Sequence, residues 1–260
     1  MNSKIIFSIL VWGIFVLLTG CVAPEKNVSR PVRNAGSVLR SDDMAPGSNI
    51  SAYRKSIDLL SAGKQGDAED VIDEALADHM GSAELWFAKG VLRRSRWVKD
   101  EALYYFAQLV HGFPTTMESR AAELSLVLDQ DLDAEKNLNE LIRMSDHHLE
   151  NIYLLWLSAI QCREQKKGEQ GKRQYEKLLS RFEVGPVLLH QSYANILTEQ
   201  LKQYDEALKH RRLAVAMEPR VWSYQGLANT LRDMGNYEES CATWEKCLEF
   251  DSDCAKYWYQ

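Results

Sequence analysis

Three regimes of apolar and polar spacing divide the 260-residue chain. Ile5 to Leu18 form an apolar stretch of fourteen residues, preceded by Lys4 and followed by Thr19, Gly20 and Cys21. From Val22 to Asn49 the sequence turns polar, and Pro24, Pro31, Gly36, Pro46 and Gly47 interrupt every helical period. That composition predicts a disordered tether over 21–48, for which a flexible chain has a root-mean-square span of about 30 Å. Beyond it, apolar residues recur at helical spacing and strand-like alternation is missing, so the rest of the chain reads as helical.

The helical part repeats itself. Its clearest copy has Trp86, Gly90, Ala102, Phe106 and Pro114; thirty-four residues upstream, Ser56, Ala68 and Ile72 stand where Gly90, Ala102 and Phe106 do. Later copies have Tyr193-Ala194, Tyr204, Ala207, Ala214 and Pro219, and then Leu227-Ala228, Gly235-Asn236-Tyr237, Ser240, Trp244 and Cys247. Two antiparallel helices pack closely only where small residues let the backbones approach and a large ring fills the space beside them. This spacing resembles the tetratricopeptide repeat. The resemblance implies an all-α, right-handed solenoid over 49–254, built of about six hairpins at 49–82, 83–114, 115–147, 149–185, 187–220 and 221–254. The third copy is degenerate, with Ala134, Leu138 and Leu141 as its best match, and the fourth has Gly171, Tyr175 and Leu178. Lys89 stands where the family has leucine and Ser252 where it has proline. Residues 255–260 read as a partial capping helix or the start of a truncated repeat. One hairpin cannot bury its apolar face alone, so neighbours must stack.

Leu18-Thr19-Gly20-Cys21 resembles the cleavage site of a bacterial lipoprotein. The resemblance implies a signal peptide over 1–20, a diacylglyceryl group on the sulfur of Cys21 and an acylated new amino terminus. Several acyl chains hold a protein stably where one is marginal. The apolar run is shorter than the ~20 residues of a spanning helix, although Thr19 to Ala23 bring it near that length, which leaves an uncleaved anchor as the alternative. Val22 stands where an aspartate would signal inner-membrane retention, so the resemblance favours the periplasmic side of an outer membrane.

A net charge of −6, without a long basic run, argues against a nucleic-acid partner. Cys162, Cys241, Cys247 and Cys254 match neither a zinc site nor a disulfide framework; they read as small apolar residues in helix contacts, with Cys241 and Cys254 as the pair to test for bridging. His-Glu-x-x-His, a glycine-rich phosphate loop and a Gly-x-Ser-x-Gly elbow are all missing. His147-His148 beside Glu150 reads as a solvated loop rather than a metal site. No enzymatic activity and no cofactor are expected.

In the family, the first helix of each hairpin lines a concave groove. The corresponding positions here are apolar and aromatic in the first, second and fourth repeats: Ile50, Tyr53 and Ile57; Phe87 and Val91; Tyr153, Trp156 and Ile160. In the fifth and sixth repeats they are amides, Gln191 and Asn195 being echoed by Gln225 and Asn229. Arg94, Arg163 and Arg232 share one slot of alternate repeats and offer fork-like donors to carboxylates. An amide both donates and accepts, so such a ladder pairs with the main chain of an extended peptide. The alternative for the amides and arginines is a solvated helix face, and for the aromatics packing between repeats. The functional expectation is a membrane-anchored adaptor that holds envelope proteins in this groove, with a receptor for extended peptides or muropeptides as its alternative and an enzyme hidden in a degenerate repeat as a third. If the groove lies where these residues stand, replacing Tyr153 and Trp156 by alanine abolishes partner capture and leaves helicity intact.

Overall fold

The computed structural model describes residues 48–78 and 82–250. Cys21, the apolar leader, the tether and Cys254 with the end of the chain lie outside the described residues. Twelve α-helices and no strand occupy the described residues. They pair as six hairpins: α1 (Ser48–Ser61) with α2 (Gln65–Asp78), α3 (Ala83–Ser95) with α4 (Lys99–Gly112), and α5 (Met117–Leu128) with α6 (Ala134–His147). The series continues with α7 (Ile152–Glu164) and α8 (Gly168–Leu179), α9 (Val187–Asn195) and α10 (Tyr204–Met217), and α11 (Val221–Asp233) and α12 (Tyr237–Phe250). The chain is an all-α solenoid, as its repeats predict.

Local chemistry sets the helix ends. Ser82, Thr116 and Asn151 precede α3, α5 and α7, and each side-chain oxygen accepts the N–H three residues on, which satisfies an otherwise orphaned donor. Second helices start instead with carboxylates, such as Asp100 and Glu101 in α4 or Asp205 and Glu206 in α10, facing the positive helix end. Between the two helices of a hairpin the chain turns through a left-handed residue: Gly63, Trp97, Lys166, Lys202 and Gly235 all have φ between 55° and 81°. The N–H of the following residue then reaches back to the carbonyl five before it, as from Lys64 to Leu59, Val98 to Arg93, Lys167 to Cys162 and Asn236 to Leu231. Glycine takes this conformation freely; Trp97 and the two lysines adopt it at a steric cost.

Inside the hairpins the small residues act as expected. A Cβ on Gly90 would stand 2.5 Å from the Phe106 ring of its own hairpin, and one on Gly171 2.6 Å from Ile196 of the next hairpin. Ala68, Ala102 and Ala207 are buried at the equivalent contacts. Lys89, in the leucine slot, is buried and keeps its charge neutralised by Asp73, 2.6 Å away.

The centre of the molecule is α7, in which every residue from Ile152 to Arg163 is buried. A helix that is apolar all round must be covered all round, and the array curls until it is. From α1, the Ser56 hydroxyl meets the Tyr153 hydroxyl at 2.8 Å, and Tyr53 donates to Asn151 at 3.3 Å with its ring 5.5 Å from that of Tyr153. From α5, Ser125 accepts the Gln161 amide at 2.8 Å, while Ser145 of α6 and Gln174 of α8 bond Ser158. The turn after α1 closes the circle, because the Ser61 carbonyl accepts the N–H groups of Val184 and Gly185.

The aromatic half of the expected groove is therefore core. Phe87, Val91, Tyr153, Trp156 and Ile160 have no exposed surface, Arg94 has 1 % and Tyr53 is half-buried under α7. The expectation that Tyr153 and Trp156 meet a partner is corrected: α1 and α3 occupy that face. Arg94 also turns inward. It makes a two-pronged contact with Asp129, bonds Ser125 at 3.2 Å and reaches Glu164, so it ties the second, third and fourth hairpins together.

A histidine pair joins α9 to α10. His190 Nε2 donates to the Val184 carbonyl at 2.9 Å, which leaves its Nδ1 as acceptor for the His210 Nδ1–H at 3.0 Å. Burial, and then the neighbouring His190, push His210 down to about 4.

Trp156→Ala removes a fully buried indole and is expected to cost ~3–5 kcal/mol, lowering the melting temperature followed by circular dichroism by roughly 10 °C. Because His210 titrates in the folded state below its ordinary value of 6.5, the unfolded chain binds the extra proton in between. Stability is then lost as pH falls from about 6.5 toward 4, and thermal melts of His210→Gln across that range are expected to decline less steeply.

Candidate ligand-binding cavity

The open concave surface lies in the last two hairpins. A cavity of about 1270 Å³ is walled by the first helices α9 and α11, by the α1–α2 turn at Gly63 and Lys64, and by the α3–α4 turn at Arg96 and Trp97. A second hollow of about 740 Å³ shares Trp97, Asn195 and Glu199 with it. The closure that buries the first half of the groove thus supplies one wall of the second half.

All four predicted amides reach this cavity: Gln191 and Asn195 from α9, Gln225 and Asn229 from α11. Arg232 lines it too, exposed and paired with Asp233 at 3.2 Å. Arg163 borders only the smaller hollow, nearly buried, donating to Ser192 at 3.1 Å and lying 5.2 Å from the centre of the Trp97 ring. Arg94 belongs to neither. Of the three arginines in one repeat slot, one is a core tie, one supports an aromatic wall and one stands at the rim.

The residue that organises the cavity floor lies on a second helix. Arg211 of α10 is 6 % exposed and passes between α9 and α11. It crosses where Gly226 has no side chain, since a Cβ there would stand 2.6 Å from Nη1. Its Nη1 donates to Gln191 Oε1, its Nη2 to Asn195 Oδ1, and its Nε to the Thr230 hydroxyl at 3.4 Å. Among the described residues these oxygens are its only partners, and none belongs to a carboxylate. Burial pushes the guanidinium down to about 10, against a pull in the other direction from Glu199. The next arginines at the wall have partners: Arg96 pairs with the buried Glu69 at 2.6 Å and Arg220 with Glu218.

Guanidinium donates and never accepts, so its contacts decide which way the amides point. Gln191 and Asn195 spend their oxygens on Arg211. Gln191 Nε2 is left buried without a partner. In the fifth hairpin both ladder oxygens thus already accept from Arg211. Repeat spacing does not single out Arg211, because second-helix positions carry no groove slot, nor Gly226, which falls between the groove positions of the first helix α11. Only the glycine in an otherwise helical run hinted at a close approach.

Two tryptophans border the same space. Trp97 is 54 % exposed, at the left-handed turn position, and Trp222 of α11 is half-buried. Among the described residues no group of three or more acidic, histidine or cysteine side chains is arranged to hold a metal, and no helix is long and apolar enough to cross a membrane. Burial raises the Cys162 thiol to about 12, which leaves it a packing residue in the core.

No known protein family matches the chain, and no curated protein matches it. Solved structures with a similar fold include a tetratricopeptide repeat protein from Parabacteroides merdae, 20 % identical, covering 78 % of this chain and 80 % of that one with a TM-score of 0.44. MamA from Desulfovibrio magneticus RS-1 is 12 % identical over 80 % of this chain and 98 % of its own, with a TM-score of 0.39. The period of the hairpins, the packing of Gly90 on Phe106 and the recurring left-handed turn make this chain a tetratricopeptide-like solenoid.

Proposed function

We propose that the chain is a non-enzymatic binding scaffold of a bacterial cell envelope, tethered through lipidated Cys21, and that it holds an extended segment of a protein partner in the cavity of its last two hairpins. One observation carries this reading: two pairs of amides in equivalent positions of successive repeats, Gln191 with Gln225 and Asn195 with Asn229, converge on one large open cavity. Such spacing suits a ligand that is itself extended and repetitive, as a peptide backbone is. The exposed Trp97 and the half-buried Trp222 offer apolar contact to its side chains.

The outer-membrane, periplasmic location rests on the sequence around Cys21, with Val22 behind it. A tether of the length of 21–48 sets the folded array off from the headgroups by about 30 Å, which leaves room for a partner.

A small-ligand receptor is the second reading. The cavity is somewhat larger than the ~300–1,000 Å³ of ordinary ligand pockets, and the first hairpin partly encloses it. A short peptide or muropeptide would fill such a space without a whole protein behind it.

In intact cells, crosslinking followed by purification and mass spectrometry is expected to recover an envelope protein with the wild type. The Gln225→Ala, Asn229→Ala double variant should recover it at least tenfold less, with its helical circular dichroism unchanged, and Cys21→Ser should lose it along with membrane association. Equal recovery by the double variant would sink the cavity assignment.

A further inference from the structure

The polarity of the cavity floor specifies its ligand more closely than the amide ladder does. This inference rests on the cavity being the binding site. We infer that Arg211, with the amide N–H groups it turns away from itself on Gln191 and Asn195, forms an oxyanion subsite that takes a carboxylate or phosphate group of the bound ligand.

First, Arg211 is a nearly buried cation with no counter-ion among the described residues: its partners there are two amide oxygens and a hydroxyl. The charged residues near it do not compensate. Glu199, the acidic group that acts on it electrostatically, is exposed and makes no ion pair with it. A buried charge left unpaired is destabilising, and buried charges are ordinarily paired. Second, donors remain. Three contacts use three of the five guanidinium N–H groups, so one is left on each terminal nitrogen. Beside them Gln191 Nε2, in a residue 3 % exposed, is buried and has no acceptor among the described residues. An unmet buried donor costs free energy that an arriving acceptor returns. Third, space has been kept for the arrangement, because any side chain at Gly226 would collide with Nη1 and with Gln191 Oε1.

The unmet hydrogens at the floor, on Arg211 and on Gln191 Nε2, are all donors and favour a group that accepts. An oxyanion meets that requirement with several lone pairs and a charge, and Arg binds it through two parallel N–H bonds. The fifth hairpin therefore selects an acidic side chain, a chain-terminal carboxylate or a phosphate, while Asn229 of the sixth, free of hydrogen bonds within the described residues, remains able to pair either way.

The test uses small anions, which report on Arg211 without any peptide. The full chain in detergent is melted with glutarate, with inorganic phosphate and with uncharged glutaramide. At about ten times its dissociation constant, a bound anion is expected to raise the melting temperature by about 3–5 °C. Glutaramide should give no shift. A stronger response to glutarate identifies a carboxylate ligand, and a stronger response to phosphate a phosphorylated one. Arg211→Met removes the response to both anions, and because it also deletes an unpaired buried charge it leaves the melting temperature without anion unchanged or higher. Gly226→Ala keeps the charge but displaces the guanidinium, and is expected to weaken the anion response at least tenfold in concentration. Anion shifts of equal size in the wild type and Arg211→Met, or no shift in the wild type, would overturn the inference. Either result leaves the peptide reading to the capture experiment with Gln225 and Asn229.

Discussion

Every long-range feature of this molecule depends on the burial of α7. Its residues from Ile152 to Arg163 offer no polar face to water, and an ordinary solenoid leaves one face of each first helix open to the groove. Leaving Tyr153, Trp156 and Ile160 exposed would sacrifice roughly 1.5–3 kcal/mol for each fully buried large side chain. Bringing α1 and α3 across the groove removes that cost and fixes the curvature of the array. Some of the polar atoms carried inward find partners on the way, as the Tyr153 hydroxyl does in Ser56 and the Gln161 Nε2 in Ser125, whereas Gln161 Oε1 and Trp156 Nε1 are buried without one.

Ion pairs hold the seams of this closed half. Arg94 draws Asp129 and Glu164 to one guanidinium, and Glu69 gathers Arg96 and Arg93 beside Lys89. Buried pairs of this kind add little net stability compared with an apolar packing, but removing one partner strands the other. Their consequence is geometric: they define the relative angle of neighbouring hairpins where apolar contacts alone would tolerate sliding. Arg211 stands apart from them, a buried guanidinium whose hydrogen-bond partners among the described residues are neutral oxygens. The arginines at the seams are paired with carboxylates, whereas the one at the cavity floor is hydrogen-bonded to neutral groups.

The closure also makes the cavity. When the first hairpin docks its turn at Ser61 onto Val184 and Gly185, it places Gly63 and Lys64 opposite α9 and α11. Trp97 reaches the same space from its left-handed turn, with Arg163 beneath its ring. Holding tryptophan in that conformation costs about 1–3 kcal/mol, and such residues persist where the surroundings over-determine them. One constraint, the covering of α7, thus buries the first half of the concave surface and shapes the other half into a cavity.

Much of this was legible in the chain. Helix positions, the six hairpins, the contact of Gly90 with Phe106 and the four amides facing a common space all follow from spacing within some forty residues, where helical geometry alone decides which side chains are neighbours. The sequence also held an unused sign, since the run Ile152-Tyr153-Leu154-Leu155-Trp156-Leu157 is apolar on every side and so predicts burial rather than a groove. What tertiary structure decided is which first helices keep an open face. That depends on contacts such as Ser56 with Tyr153 and Ser61 with Val184, separated by about a hundred residues, and no local period encodes the curvature that brings them together. The same holds for Arg211, whose meaning comes from the helices on either side of it and from the missing side chain of Gly226, because whether a charge is paired is a property of its surroundings in space.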